Sequence, residues 1–133
     1  MERILVGTDA SASADAAVEV AAELAEGRGA ELLVLYVESL LDAREVFDPR
    51  GTPDAKRYLA ELRGRLSEIK ARTWRLSGDP VETICEVARQ ESCDLIVLGK
   101  RPGRGRRITR SLRHKVMDRA ACPVLVVDSR RAS

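Results

Sequence analysis

Two residues at the ends of apolar runs, Asp9 after Ile4-Leu5-Val6-Gly7-Thr8 and Gly99 after Leu95-Ile96-Val97-Leu98, mark where this chain could meet an anion. A glycine at a strand end lets a phosphate approach the backbone, and the unpaired amides of a following helix start supply donors. The segment after Gly99 leads to such a start, expected near Ser111, whose hydroxyl could join the donors. Cations crowd it: Lys100, Arg101, Arg104, Arg106, Arg107, Arg110, Arg113 and Lys115 all fall before Met117. Positive charge at the positive end of a helix is self-repelling, and an anion would relieve that repulsion. Phosphate, polyphosphate, acidic lipid and nucleic acid all satisfy that condition, beside the plainer reading of a solvated charged loop. A small anionic ligand fits better than nucleic acid, because the loop has no aromatic residue on which a base could stack. Asp9 has two roles open to it, a hydrogen bond to a ribose or acceptance of amides at the start of the first helix.

Catalytic chemistry finds no support in the residue pattern. His114 is the single histidine, with no Ser or Cys patterned to pair with it, and reads as a surface helix residue. Carboxylates are scattered without metal-ligand spacing, and a Walker-type phosphate loop is absent. Cys85, Cys93 and Cys122 form no Cys-x-x-Cys pair and give an odd count, so buried thiols are expected in preference to a disulfide framework or a metal knuckle.

The elements that must position Asp9 and Gly99 follow from the apolar pattern. The 133 residues suffice for one domain, 1–133, and aromatic residues are only 3% of them, so the core must be built from Val, Ile, Leu and Ala. No run reaches the roughly 18 apolar residues of a membrane span, and the opening residues read as a strand, so no membrane association and a cytoplasmic location are expected. The net charge is only +2, yet Leu95 to Met117 holds eight Lys or Arg and no Asp or Glu, which leaves the remainder at −6. The basicity is therefore local.

A strand at Ile4-Leu5-Val6 is followed by a helix capped by Ser11 or Ser13, with Ala17, Val20, Ala21 and Leu24 inward and Gly27 and Gly29 stopping it. Leu32 to Val37 is a second buried strand, and residues 39–51 follow no assignable pattern. Thr52-Pro53 opens a helix with Leu59, Leu62, Leu66 and Ile69 at helical spacing. Ala71 to Leu76 is more polar and suits a sheet edge. Asp79, Pro80 and Glu82 open a third helix with Val81, Ile84, Cys85 and Ala88 inward. Leu95 to Leu98, a last helix with Leu112, Val116 and Ala120 on one face, and a strand from Pro123 complete the order. Strands and helices in alternation, with strands apolar throughout, specify a doubly wound α/β fold. With five parallel strands ordered 3-2-1-4-5 and helices on both faces, the ends of the first and fourth strands border one crevice.

Ile4-Leu5-Val6-Gly7-Thr8-Asp9-Ala10-Ser11, Gly78-Asp79-Pro80, Asp94-Leu95-Ile96-Val97-Leu98-Gly99 and Cys122-Pro123-Val124-Leu125-Val126-Val127, in that order, resemble the universal stress proteins over nearly the whole chain. The resemblance implies the 3-2-1-4-5 fold and a non-enzymatic role in stress adaptation. It also implies a homodimer paired through the last strand, here Pro123 to Val127, with Val124 and Val126 facing one side of the sheet. Part of that family binds ATP through Gly-x2-Gly-x9-Gly-Ser/Thr, with an Asp at the first strand end and backbone at the second. Asp9, Val37, Gly99 and Ser111 match single positions of that arrangement. Pro102 stands where the second glycine belongs, Arg110 stands before Ser111 where the third belongs, and the interval is two residues short. Gly103 and Gly105 could partly compensate only with a shifted loop. Proline offers no amide, and arginine brings a Cβ and a long side chain to a place of close approach. The expectation is therefore no cofactor, as in the branch typified by universal stress protein A. The alternative is an ATP or adenine-nucleotide sensor in which Asp9, Val37, Gly99, Gly103, Arg110 and Ser111 line the site.

Overall fold

The computed structural model describes residues 2–9, 12–38, 55–100 and 107–128. The strands are β1 (Arg3–Thr8), β2 (Glu31–Glu38), β3 (Ala71–Ser77), β4 (Leu95–Lys100) and β5 (Val124–Asp128), and the helices are α1 (Ala12–Arg28), α2 (Ala55–Arg65), α3 (Pro80–Gln90) and α4 (Arg107–Arg119). All four strand pairings are parallel, and the sheet order is β3-β2-β1-β4-β5, as the alternation of elements required.

Strand residues alternate between two apolar layers. Ile4 and Val6 of β1, Leu32, Val34 and Tyr36 of β2 and Val97 of β4 face α1 and α2. Leu5, Leu33, Leu35, Ile96 and Leu98 face α3 and α4. β1, β2 and β4 are thus covered on both sides, which is why they read as unbroken apolar runs. β3 is an edge, as its polarity foretold.

The helix boundaries carry small corrections. In α1 the buried stripe is Ala14, Ala17, Val18, Ala21 and Ala25, with Val20 and Leu24 only half-buried. Small alanines let the helix lie close to the strands, and that contact turns the stripe toward Val18. Gly27 lies inside α1. The stop is Gly29, at φ +64°, where its amide donates to Glu26 O at 3.4 Å and that of Ala30 to Ala25 O at 2.9 Å. Those two bonds form a Schellman cap, which a glycine in the left-handed region favours. Leu66 and Ile69 pack on the core from the turn after α2, outside the helix itself. At α3 the Asp79 carboxylate accepts the Glu82 amide at 3.1 Å with Pro80 in the first turn, and the buried face is Val81, Ile84, Val87 and Ala88. Cys85 is half-buried beside them. Ser11, the Thr52-Pro53 start and residues 39–51 lie outside the described residues.

The end of the sheet where the strands begin is held by charge. Asp94 accepts the amides of Glu2 at 2.7 Å and Arg3 at 3.1 Å, which hold its carboxyl below the usual range. Arg3 and Arg72 share Glu31, and Arg72 also reaches Glu91 at 3.0 Å. At the opposite end, where the strands finish, Arg75 pairs with Glu38 and Lys100 with Asp128.

Candidate functional site

β1 and β4 are paired from Ile4–Leu95 to Val6–Val97, yet β1 runs on to Thr8 and β4 to Lys100. The ladder therefore gives out before the strands do. This is the point where the connections turn to opposite faces of the sheet, α1 and α2 on one side and α3 and α4 on the other. A crevice opens there by topology.

Asp9 follows Thr8 at its rim and is exposed. Val37, near the end of β2, is half-buried and paired with Leu76 of β3. Gly99 belongs to β4 rather than following it, because it continues the ladder with β5 opposite Val127. Lys100, the next residue, directs its ammonium to Asp128 of β5 at 3.9 Å. The first of the loop cations is thus tied to the neighbouring strand.

α4 begins at Arg107, four residues earlier than the sequence suggested. Ser111 is then the fifth helical residue, and its amide falls to a carbonyl one turn back instead of standing free at the helix start. Arg110 likewise lies within the first turn. Run length explains the early start: from Arg107 onward there is no Gly or Pro to interrupt a helix whose Leu112, Val116 and Ala120 anchor it to the sheet. The side chains of residues 107–111, and all of Gly103, lie outside the described residues. His114 and Lys115 are exposed on the outer face of α4, the histidine as expected.

The sequence pattern gave no sign of a polar chain at the carboxyl end of β1. Thr8, 6% exposed, is the one polar residue buried among those described, and its hydroxyl lies 2.8 Å from that of Tyr58 on α2. Tyr58 in turn donates to Asp15 Oδ1 at 2.8 Å, in the first turn of α1. A phenol has a single proton, so with that proton on Asp15 the Thr8 hydroxyl must be the donor to Tyr58. The Tyr58 ring meets that of Tyr36 at 6.2 Å between centroids in a tilted contact of 57°. Arg65 stands 4.0 Å from Asp15 on the solvent side. A tyrosine one place before the buried Leu59 was the available sequence signal, but nothing local says that its hydroxyl reaches two other elements.

Burial, helped by the adjacent Asp15, pushes the Tyr58 phenol up to about 12. It stays protonated at neutral pH and cannot draw a proton from Thr8. The cysteine thiols are also raised by burial, Cys93 to about 11. This arrangement can hold a strand end and two helices in place; it offers no activated nucleophile. Replacing Tyr58 by Phe keeps the ring and removes the hydroxyl. The variant should lose about 1–2 kcal/mol in a urea titration. A Thr8→Val, Tyr58→Phe double variant should lose less than the sum of the two single changes, since paired removal leaves fewer orphaned groups.

Residues 1–128 match the family model described as the universal stress protein family. A universal stress protein of Thermus aquaticus is 32% identical over 137 residues, covering 93% of this chain and 96% of that protein. Among solved structures, universal stress protein UspA from Lactobacillus plantarum is 26% identical with a TM-score of 0.77, covering 95% of this chain and 97% of the other. The universal stress protein from Archaeoglobus fulgidus in complex with dAMP is 25% identical with a TM-score of 0.69, at 95% and 97% coverage.

Proposed function

This chain belongs to the universal stress protein family, a family of stress-response modules rather than catalysts, and from that premise we propose that it acts in the cytoplasm as a homodimer paired through β5. One domain, 1–133, forms each subunit, and the dimer works through contacts with other proteins.

The observation that carries this reading is the incomplete burial of β5. Its residues Val124 to Val127 are all apolar, yet none is buried, and Leu125 is 37% exposed. On the adjoining helix Met117 is 51% exposed. The sheet has a second edge, β3, but that strand carries Arg72 and Arg75, which are engaged by Glu31, Glu91 and Glu38. Charged residues on an edge oppose pairing with another strand, whereas an uncharged apolar edge invites it. A two-fold axis beside β5 would extend the sheet across both subunits and cover Leu125.

The second reading is an adenine-nucleotide sensor, favoured by the crevice between β1 and β4 and by the dAMP bound to a relative of the same fold. In it Asp9, Val37, Gly99, Gly103, Arg110 and Ser111 would surround the nucleotide, and the loop arginines would hold its phosphates or another small anion. Pro102 and the helical position of Ser111 weigh against it, since both withdraw backbone donors from the triphosphate.

Sedimentation over a range of concentrations, paired with calorimetric titration by magnesium-ATP, tests the two readings together. A dimer at micromolar concentration with no saturable heat is the expected result. A monomer throughout would remove the β5 pairing. A micromolar isotherm weakened by Asp9→Ala would transfer preference to the sensor.

A further inference from the structure

The outer surfaces of the four helices carry opposite charges on the two faces of the sheet. On α1, Glu19, Glu23 and Glu26 recur at i, i+4 and i+7, all exposed, on the side opposite the buried stripe of Ala14, Ala17, Val18, Ala21 and Ala25. Over its length α1 holds four acidic residues and one basic, whereas α4 holds five basic and one acidic. Lys115 and Arg119 of α4 are exposed and Arg113 is half-buried. Those three cations and the three glutamates make no ion pair with any described residue, while Arg3, Arg65, Arg72, Arg75 and Arg89 each meet a carboxylate. Like charges at i, i+4 repel, so the Glu19–Glu23 pair is relieved by a cation from outside.

These helices lie back to back. α1 and α4 both rest on β4, from opposite faces of the sheet, and α2 and α3 cover β3 and β2 in the same opposed manner. A second copy displaced along the sheet normal therefore sets its α4 over α1 and its α3 over α2. Opposite charges meet at both places, because α2 holds four basic residues and one acidic, and α3 two acidic and one basic. The stripes also agree in length: at 1.5 Å per residue, Glu19 to Glu26 spans about 10.5 Å and Arg113 to Arg119 about 9 Å. Ala16 and Ala22, half-buried beside the glutamates, leave room for a second helix to approach.

We propose that the α1–α2 face of one copy docks on the α3–α4 face of a second copy, with Glu19, Glu23 and Glu26 set against Arg113, Lys115 and Arg119. The two faces differ, so the contact is heterologous and each added copy leaves one face of each kind free. Copies then add without closure. Exposed ion pairs are individually weak, and salt at about 0.1 M screens them beyond about 10 Å, so the stack forms at low ionic strength and disperses in salt. Pairing through β5 is a separate contact at the sheet edge, and stacking does not need it.

Sedimentation of the purified protein over a range of concentrations, at about 0.01 M and about 1 M salt, reads the association. At low salt the weight-average mass should climb continuously with concentration, and at high salt it should fall back to a size that stacking no longer raises. Lys115→Glu with Arg119→Glu should lower the stacking constant at least about tenfold, as should Glu19→Lys with Glu23→Lys. Mixing those two variants in equal amounts should restore growth. Arg28→Glu with Lys70→Glu makes the same change in net charge as the α4 reversal, at exposed sites outside both stripes, and should stack as the parent does. Val126→Pro should still stack, which reads loss of β5 pairing apart from loss of this contact. A mass that ignores salt, normal stacking after the α4 reversal, a mixture that stays dispersed, or equal loss in Arg28→Glu with Lys70→Glu would each overturn the proposal.

Discussion

Val126→Pro should sediment as a monomer at concentrations where the parent chain is dimeric, while keeping its fold. The expectation follows from which way the β5 amides point. The Ile96 amide bonds to the Pro123 carbonyl, so in a parallel ladder the Ile96 carbonyl accepts from residue 125, and residue 127 continues the pattern. The amides of Val124 and Val126 then face the open edge. Proline at 126 removes one donor from any strand that pairs there and leaves the β4–β5 bonds intact, a position at which sheets tolerate proline. Loss of that donor with the clash of the ring at a two-fold contact should cost about 3 kcal/mol, or about a hundredfold in the dimer dissociation constant. Each proline would also appear on both sides of a symmetric interface. The check is sedimentation of parent and variant together, with far-ultraviolet circular dichroism as the control for folding. Unchanged dimerisation would move the interface away from β5.

The strand order and the two apolar layers were legible because burial on both faces makes the centres of β1, β2 and β4, Ile4 to Val6, Leu32 to Leu35 and Leu95 to Leu98, wholly apolar, a signal that local composition reports directly. Strand ends were less so. Gly7, Thr8, Gly99 and Lys100 lie beyond the apolar runs Ile4 to Val6 and Leu95 to Leu98, yet all belong to strands, since pairing with β2 and β5 continues past the last bulky apolar residue. Tertiary pairing outweighs the weak strand preference of glycine there. The start of α4 was displaced for a related reason: the anticipated motif put a helix boundary at Ser111, whereas anchoring by Leu112 and Val116 carries the helix back to Arg107. The Thr8–Tyr58–Asp15 chain was not legible at all. Its members come from three elements separated by up to 50 positions, and each taken alone is an ordinary residue.

Gly7, just past the apolar run Ile4 to Val6, acts as a spacer in the core. A Cβ at this position would lie 3.1 Å from Leu98 Cδ2 and 3.4 Å from Ile84 Cδ1. Both neighbours are almost fully buried, at 4% and 3% exposed, so neither can swing away into solvent. Their contact is what seats α3 on β1 and β4 beside the crevice. Gly7→Val should therefore destabilise the protein by about 2–3 kcal/mol or more, because added methyl groups force Ile84 off its rotamer or lift α3 from the sheet. The opposite sign is expected at Gly27, inside α1, where a Cβ would meet nothing within 4 Å. Gly27→Ala should stabilise by about 0.5–1 kcal/mol through helix propensity alone. Thermal and urea unfolding of the two variants compare a filled site with an open one on the same chain. Gly7→Ala, with a single added carbon, should fall between them on the destabilising side. A Gly7→Val protein as stable as its parent would mean that α3 rests more loosely on β1 than these contacts imply, and that the crevice wall beside Leu98 can move outward.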